Sequence, residues 1–201
     1  MNAYLTTLGV SPKIQQFFAV EEPLFDFGNE SEYFSDIVHR VPATNNLWMA
    51  GDQFARQVVI TFSAMEAIAF LTLNQTTYQN FNDLLFIATG ARISSGQLNW
   101  IRLNLKRREF TLAFGNELIG RITDIKVATA IRNKTVRLKF QEGNVIAWLK
   151  EKKIVFDEDK LSLHTFETTL GIRTMIRTCK PLNQLTFLDE LKYESSRRYH
   201  T

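Results

Sequence analysis

The chain has 201 residues, 45% of them hydrophobic, with 16 Phe and a formal net charge of +3. That is enough apolar side chain for one domain with appendages or two small ones, and it excludes a disordered polar chain. No apolar run reaches the roughly 18 residues of a membrane helix, so no membrane partner is expected, and the single cysteine, Cys179, excludes an intrachain disulfide framework and a cysteine-based zinc site. Residues 1–13 lack a basic start followed by a long apolar region, so a cytoplasmic protein is the expectation.

Residues 11–18 read as the first helix, capped by Ser11 and with Pro12 in its first position. Residues 26–35 are acidic and turn-like. Residues 35–41 and 45–51 read as short strands around the turn PATNN, with His39 facing solvent. VVITF (58–62) is a strand, and residues 63–73 form the following helix. Ser63 caps that helix, and Glu66 holds the matching capping-box position. Residues 84–88 are the next strand, and Gly90 supplies a positive φ in the turn after it. Ser94 or Ser95 caps a helix running to about Arg107. Residues 109–114 are a third strand. In the helix 118–131, Ile119, Ile122 and Ile125 recur at helical spacing. VRLKF (136–140) alternates as a fourth strand with Arg137 and Lys139 on one face. Residues 143–156 fit either a β-hairpin or a short helix with a strand. Residues 162–177 and 183–193 read as helices separated at Pro181, and 194–201 as a polar tail that frays.

Strands of about five residues, apolar on both faces and alternating with helices of ten or more, predict a parallel α/β sheet. The expected fold is therefore α/β, with a mainly parallel four-stranded sheet flanked by helices over residues 56–141. A small N-terminal α+β subdomain (1–55) precedes it, and a C-terminal β-hairpin and helical extension (142–201) follows.

Charge is unevenly placed. Residues 1–55 carry two basic against seven acidic side chains, a net of −5, whereas residues 102–153 carry thirteen basic against five acidic, a net of +8. Such asymmetry steers a polyanion toward one face. Lys106, Arg107 and Arg108 close a helix, where basic groups also complement the helix dipole. With Arg121, Arg137 and Lys139 they are the candidate nucleic-acid contacts. No Ser-His-Asp or Cys-His arrangement can be built from the three histidines, and no phosphate-loop or dinucleotide glycine motif is present.

Three segments, VVITF-SAMEA, IATGARISSGQLNWI and AFGNELIG, keep an order and spacing that resemble the Toprim domain of bacterial primases, topoisomerases and related nucleases. YLTTLGVSPKIQQF (4–17) is similar to the segment that precedes this domain in primases, with Leu8 in place of the usual Arg. The resemblance implies a metal-binding α/β module that handles nucleic acid. In the family a Glu follows the first strand, and two Asp follow the third and hold magnesium. The matching positions here are Phe62, Gly115 and Glu117. Mg²⁺ needs several hard oxygen ligands at near-octahedral geometry. Glu117 with Glu66 nearby is a weak candidate set, so no cofactor is expected and the active site reads as degenerate. Three readings stay open. The first is a non-catalytic Toprim-like, primase-related protein bound to DNA or RNA without sequence preference, in replication or mobile-element biology. The second is a protein-interaction module with a protein partner. The third is a residual Mg-dependent phosphoryl-transfer enzyme using Glu66 and Glu117.

Overall fold

The computed structural model describes residues 1–198; residues 199–201, the end of the tail expected to fray, lie outside the described residues. The helices are α1 (Ala3–Thr7), α2 (Pro12–Phe17), α3 (Ala64–Leu73), α4 (Ser95–Asn104), α5 (Leu118–Ile131), α6 (Leu163–Leu170) and α7 (Phe187–Arg198). The strands are β1 (Leu24–Asp26), β2 (Ser31–Phe34), β3 (His39–Arg40), β4 (Trp48–Gly51), β5 (Gln57–Thr61), β6 (Leu84–Ala88), β7 (Glu109–Leu112), β8 (Val136–Gln141), β9 (Asn144–Leu149), β10 (Lys152–Asp157) and β11 (Arg177–Thr178).

The chain is mixed α/β, built on a five-stranded mixed sheet of order β11-β7-β5-β6-β4. β11, β7, β5 and β6 run parallel, and β4 lies antiparallel to β6 on the edge. The sheet is covered on both sides, as continuous apolar strands require. Val59, Leu84, Phe86 and Ala88 face one core with α1, α2, β1, β2, α3 and α7. Val58, Ile60, Leu85, Ile87, Phe110 and Leu112 face the other, with α4, α5, α6 and the β8-β9-β10 meander.

The expected fourth parallel strand is corrected. Residues 136–140 are not in this sheet; they open the antiparallel meander β10-β9-β8. The alternation V-R-L-K-F gives one apolar and one charged face, which suits a sheet covered on one side only. The ambiguous segment 143–156 is its hairpin. The parallel position beside β7 goes to β11, from a segment expected to be helical. α6 stops at Leu170 because Gly171 takes the left-handed conformation, φ 65°, and closes the helix. The acidic stretch 26–35 expected as turn contains β2 and the last residue of β1, with Asp26 and Ser31 directly paired around the turn. The last helix begins at Phe187, four residues later than its expected start.

Several caps behave as read. Ser11 accepts from Ile14 N and Ser63 from Glu66 N, while Ser94 and Gln97 form a reciprocal box. Glu66, however, does not close a box on its own helix. Its carboxylate accepts from the amides of Phe187 (2.9 Å) and Leu188 (3.1 Å), and so caps α7. The start of α3 is capped instead by Glu32 of β2, a fully buried residue, which accepts from Ala64 N at 2.6 Å and Met65 N at 3.0 Å. His39, expected to face solvent, has its ring on Glu32 at 2.9 Å.

Glu32→Ala leaves two buried amides without an acceptor. Each such loss costs about 1–3 kcal/mol, so a destabilisation of roughly 3 kcal/mol is expected by urea denaturation. Glu32→Gln, which keeps one acceptor oxygen, loses less. An unchanged midpoint for Glu32→Ala contradicts the capping role.

Candidate functional site

Three strand-to-helix turns lie at the carboxyl edge of the parallel sheet, where open α/β sheets place their ligands. Each turn is filled by the chain's own side chains. After β5, the first amides of α3 are taken by Glu32. Phe62 packs on Phe114 with ring centroids 4.6 Å apart, so an aromatic pair fills the gap between β5 and β7. After β6, Gln97 donates to Thr89 O (2.7 Å) and Asn46 O (2.6 Å) and locks the turn around Gly90, whose φ is 80°.

The turn after β7 holds the most charge. Gly115 and Gly120 approach so closely that a Cβ at residue 120 would overlap the Gly115 carbonyl, and the carboxylate of Glu117 folds over Gly115. Lys180 stands two residues past β11, which brings it beside the end of β7. Its ammonium donates to Asp124 Oδ2 (2.6 Å), Gly115 O (2.9 Å) and Phe114 O (3.2 Å). Asp124 is 1% exposed. Burial pushes its carboxyl up to about 7, Lys180 pulls it back, and Glu117 adds a smaller upward push. Glu117 Oε2, Arg121 Nε and Asp124 Oδ1 are buried without a hydrogen bond among the described residues. Arg121 Nη1 donates to Asp159 O at 3.2 Å.

The Mg²⁺ that the Toprim resemblance implies does not fit this donor set. Phe62 and Gly115 bring no ligand, and the ammonium of Lys180 occupies the oxygen cage formed by Asp124, Phe114 and Gly115. A dication beside it would meet a fixed positive charge at close range. Glu66 uses both carboxylate oxygens on α7 amides, and burial pushes its carboxyl up to about 7 against those two bonds. Among the described residues no group of three or more His, Cys, Asp or Glu could hold a metal.

The six basic residues singled out in the sequence are distributed over the molecule. Lys106 and Arg107 are exposed on the α4–β7 connection at the amino edge of the sheet. Arg108 is tied down there by the carbonyls of Phe54 and Ala55. Arg121 stands in the first turn of α5, at the opposite edge. Arg137 and Lys139 share the outer face of the meander, because they alternate in β8.

A different basic surface is continuous. A groove between α4 and α5 adjoins a second groove at the end of α5 and the near edge of the meander; the two share Asn133, Lys134 and Thr135. Arg102, Lys126, Arg132, Lys134, Arg137, Lys150 and Lys152 line them, with Glu151 as the one acid in the lining. None of the seven forms an ion pair among the described residues. Arg102 and Arg132 are steadied by Asn99 Oδ1 and Thr174 O. Trp148, on β9 in the same lining, carries the Arg137 guanidinium 4.2 Å over its ring. Sequence reading missed Glu32, Lys180, Lys134 and Trp148 as site residues. Only the +8 segment signalled the groove, since the fold rather than spacing gathers its cations.

Lys180→Met strands a buried carboxylate. Breaking a buried pair in this way costs about 3–5 kcal/mol, and that loss is expected in urea denaturation at pH 8. A carboxyl whose folded value lies above its unfolded one binds extra protons between about pH 4 and 7. Asp124 therefore destabilises the fold as pH rises through that window, and the Lys180→Met loss shrinks at pH 5, where Asp124 holds a proton. A loss independent of pH contradicts the pairing. Comparison of the chain with protein-family models, with curated proteins and with solved structures finds no match in any of the three.

Proposed function

We propose that this is a non-catalytic, Toprim-like, primase-related protein that binds nucleic acid without sequence preference, in replication or mobile-element biology. The observation that carries the reading is the continuous groove lined by Arg102, Lys126, Arg132, Lys134, Arg137, Lys150 and Lys152, seven cations with one acid among them. Unpaired cations in a groove release condensed counterions when they meet phosphates, and that term supplies most of non-specific affinity. Contacts of this kind position a strand and carry no base information. The non-catalytic part rests on Lys180 and the Phe62–Phe114 pair at the carboxyl edge, which leave phosphoryl transfer without the carboxylate rim that two-metal chemistry needs. With Arg137 in the groove lining and Lys139 next to it on β8, part of the sequence-derived contact set stays in this reading. Lys106 and Arg107 become peripheral.

The alternative, a protein-interaction module, draws on exposed apolar side chains at the carboxyl edge. Leu182 is 90% exposed and Ile119 65%, and Leu185, in the loop of Leu182, accepts at its carbonyl from Asn116 N. The two readings predict different surfaces, and a salt titration separates them.

About four neutralised phosphates give a log–log slope of affinity against salt of roughly −3 to −4, with dissociation constants on the order of 10⁻⁴ to 10⁻⁶ M. Fluorescence anisotropy with labelled oligonucleotides measures both. Replacing Lys126 and Lys134 together by Ala weakens all sequences alike and makes the slope shallower by about 2. Absence of binding at low salt overturns the nucleic-acid reading in favour of the interaction module.

A further inference from the structure

The outer face of the meander carries a cation–aromatic row that phosphate contact alone does not use. In the register of the three strands, Arg137 stands directly opposite Trp148, and Trp148 directly opposite Lys153. The Arg137 guanidinium lies 4.2 Å over the indole and the Lys153 ammonium 6.0 Å from its centre. The next row on the same face is Lys139, Ile146 and Val155. Arg137, Lys139, Lys153 and Val155 are exposed, and Ile146 and Trp148 are half-buried. Among the described residues the only acid in the strand rows of this face is Asp157, at its far end, where its side chain accepts from Asp159 N. The core-facing side chains Val145, Ala147 and Phe156 pack in one cluster with α5 and α6, but no element covers this outer face among the described residues. A half-buried indole flanked by two cations, with a third in the next row and a basic groove alongside, is matched in charge by a polyanion and in shape by a flat ring.

We propose that this row is a stacking platform for single-stranded nucleic acid, with one nucleobase taken onto the Trp148 indole. The inference rests on the nucleic-acid reading above and narrows it from any strand to an unpaired one. The bases of a duplex are stacked on each other and cannot reach the indole, whereas those of a single strand can. On binding, the Arg137 guanidinium leaves the ring for a neighbouring phosphate, and the base takes its place. The exchange is favourable because an exposed cation–π contact is worth less than a base stacked on an aromatic ring. Lys139 and Lys153 hold phosphates on either side, and the strand continues into the groove at Lys134 and Lys152. Every base has a π-face, so the platform does not select sequence.

The test compares a labelled 12-nucleotide oligothymidylate with a duplex of the same length, by fluorescence anisotropy at about 50 mM salt. The wild-type chain binds the single strand at least tenfold more tightly. Trp148→Ala weakens single-strand binding about tenfold and duplex binding much less, so the preference for the single strand is lost. Trp148→Phe, which keeps a ring, retains most of the difference and shows that loss in the Ala variant is not misfolding; circular dichroism of both variants checks the fold. If the two ligands bind equally and Trp148→Ala changes neither, the platform is overturned while the nucleic-acid reading stands. If neither ligand binds, both fall together.

Discussion

The carboxylate of Glu32 on the first amides of α3 is the contact on which the layout of the carboxyl edge depends. A helix that starts at the end of a buried strand presents unpaired N–H groups and a partial positive charge. In many α/β proteins an anionic ligand satisfies them. Here a residue of the chain does so, at 2.6 and 3.0 Å. That requirement draws β2, and with it the N-terminal segment, onto one face of the sheet. The same device repeats once more on that face. Glu66, from the helix that Glu32 caps, caps α7 in turn, and Glu190 within α7 holds the amides of Asn183 and Gln184. Glu32 and Glu66 thus bind the first, middle and last parts of the chain into one layer, and Glu190 orders the loop before α7.

The other charge is met in the same way. Backbone carbonyls and a buried Asp at the end of β7 would attract a cation, and Lys180 is that cation. The carboxyl edge therefore supplies its own anion and its own cation. Little unsatisfied charge remains there beyond single buried atoms of Glu117, Arg121 and Asp124. The groove along α4, α5 and the meander has the reverse character, since its cations have no carboxylate partner among the described residues. A field from uncompensated charge reaches further than one from close pairs. This contrast, and not the position of the edge within the fold, assigns the outward-facing role to the groove.

Much of the sheet was legible in the sequence. VVITF, LLFIA and EFTL are short apolar runs between helices, and β5, β6 and β7 fall on them. Ser11, Ser63 and Ser94 cap the helices they precede, because N-caps act over three residues. The rest depends on distant partners. β11 is two residues long and carries no periodicity; it is a strand only because β7 offers a free edge. The alternation of 136–140 was visible, but which sheet it joins is decided by the apolar cover available to one face. Glu32 sits at an unremarkable position in SEYF, and Lys180 pairs with a carbonyl 65 residues away. No local pattern reports such pairs. The basic groove was visible only as a net charge, and Trp148 gained its meaning from the cross-strand register with Arg137 and Lys153.

The contrast between the carboxyl edge and the groove is open to direct measurement by backbone amide NMR, with shifts followed as a single-stranded oligonucleotide is added. Perturbation at residues 126–137 and 148–153, with residues 62–66, 89–91 and 115–121 unmoved, is the expected result. Perturbation centred on the turns at Phe62, Gly90 and Gly115, with the groove silent, contradicts it.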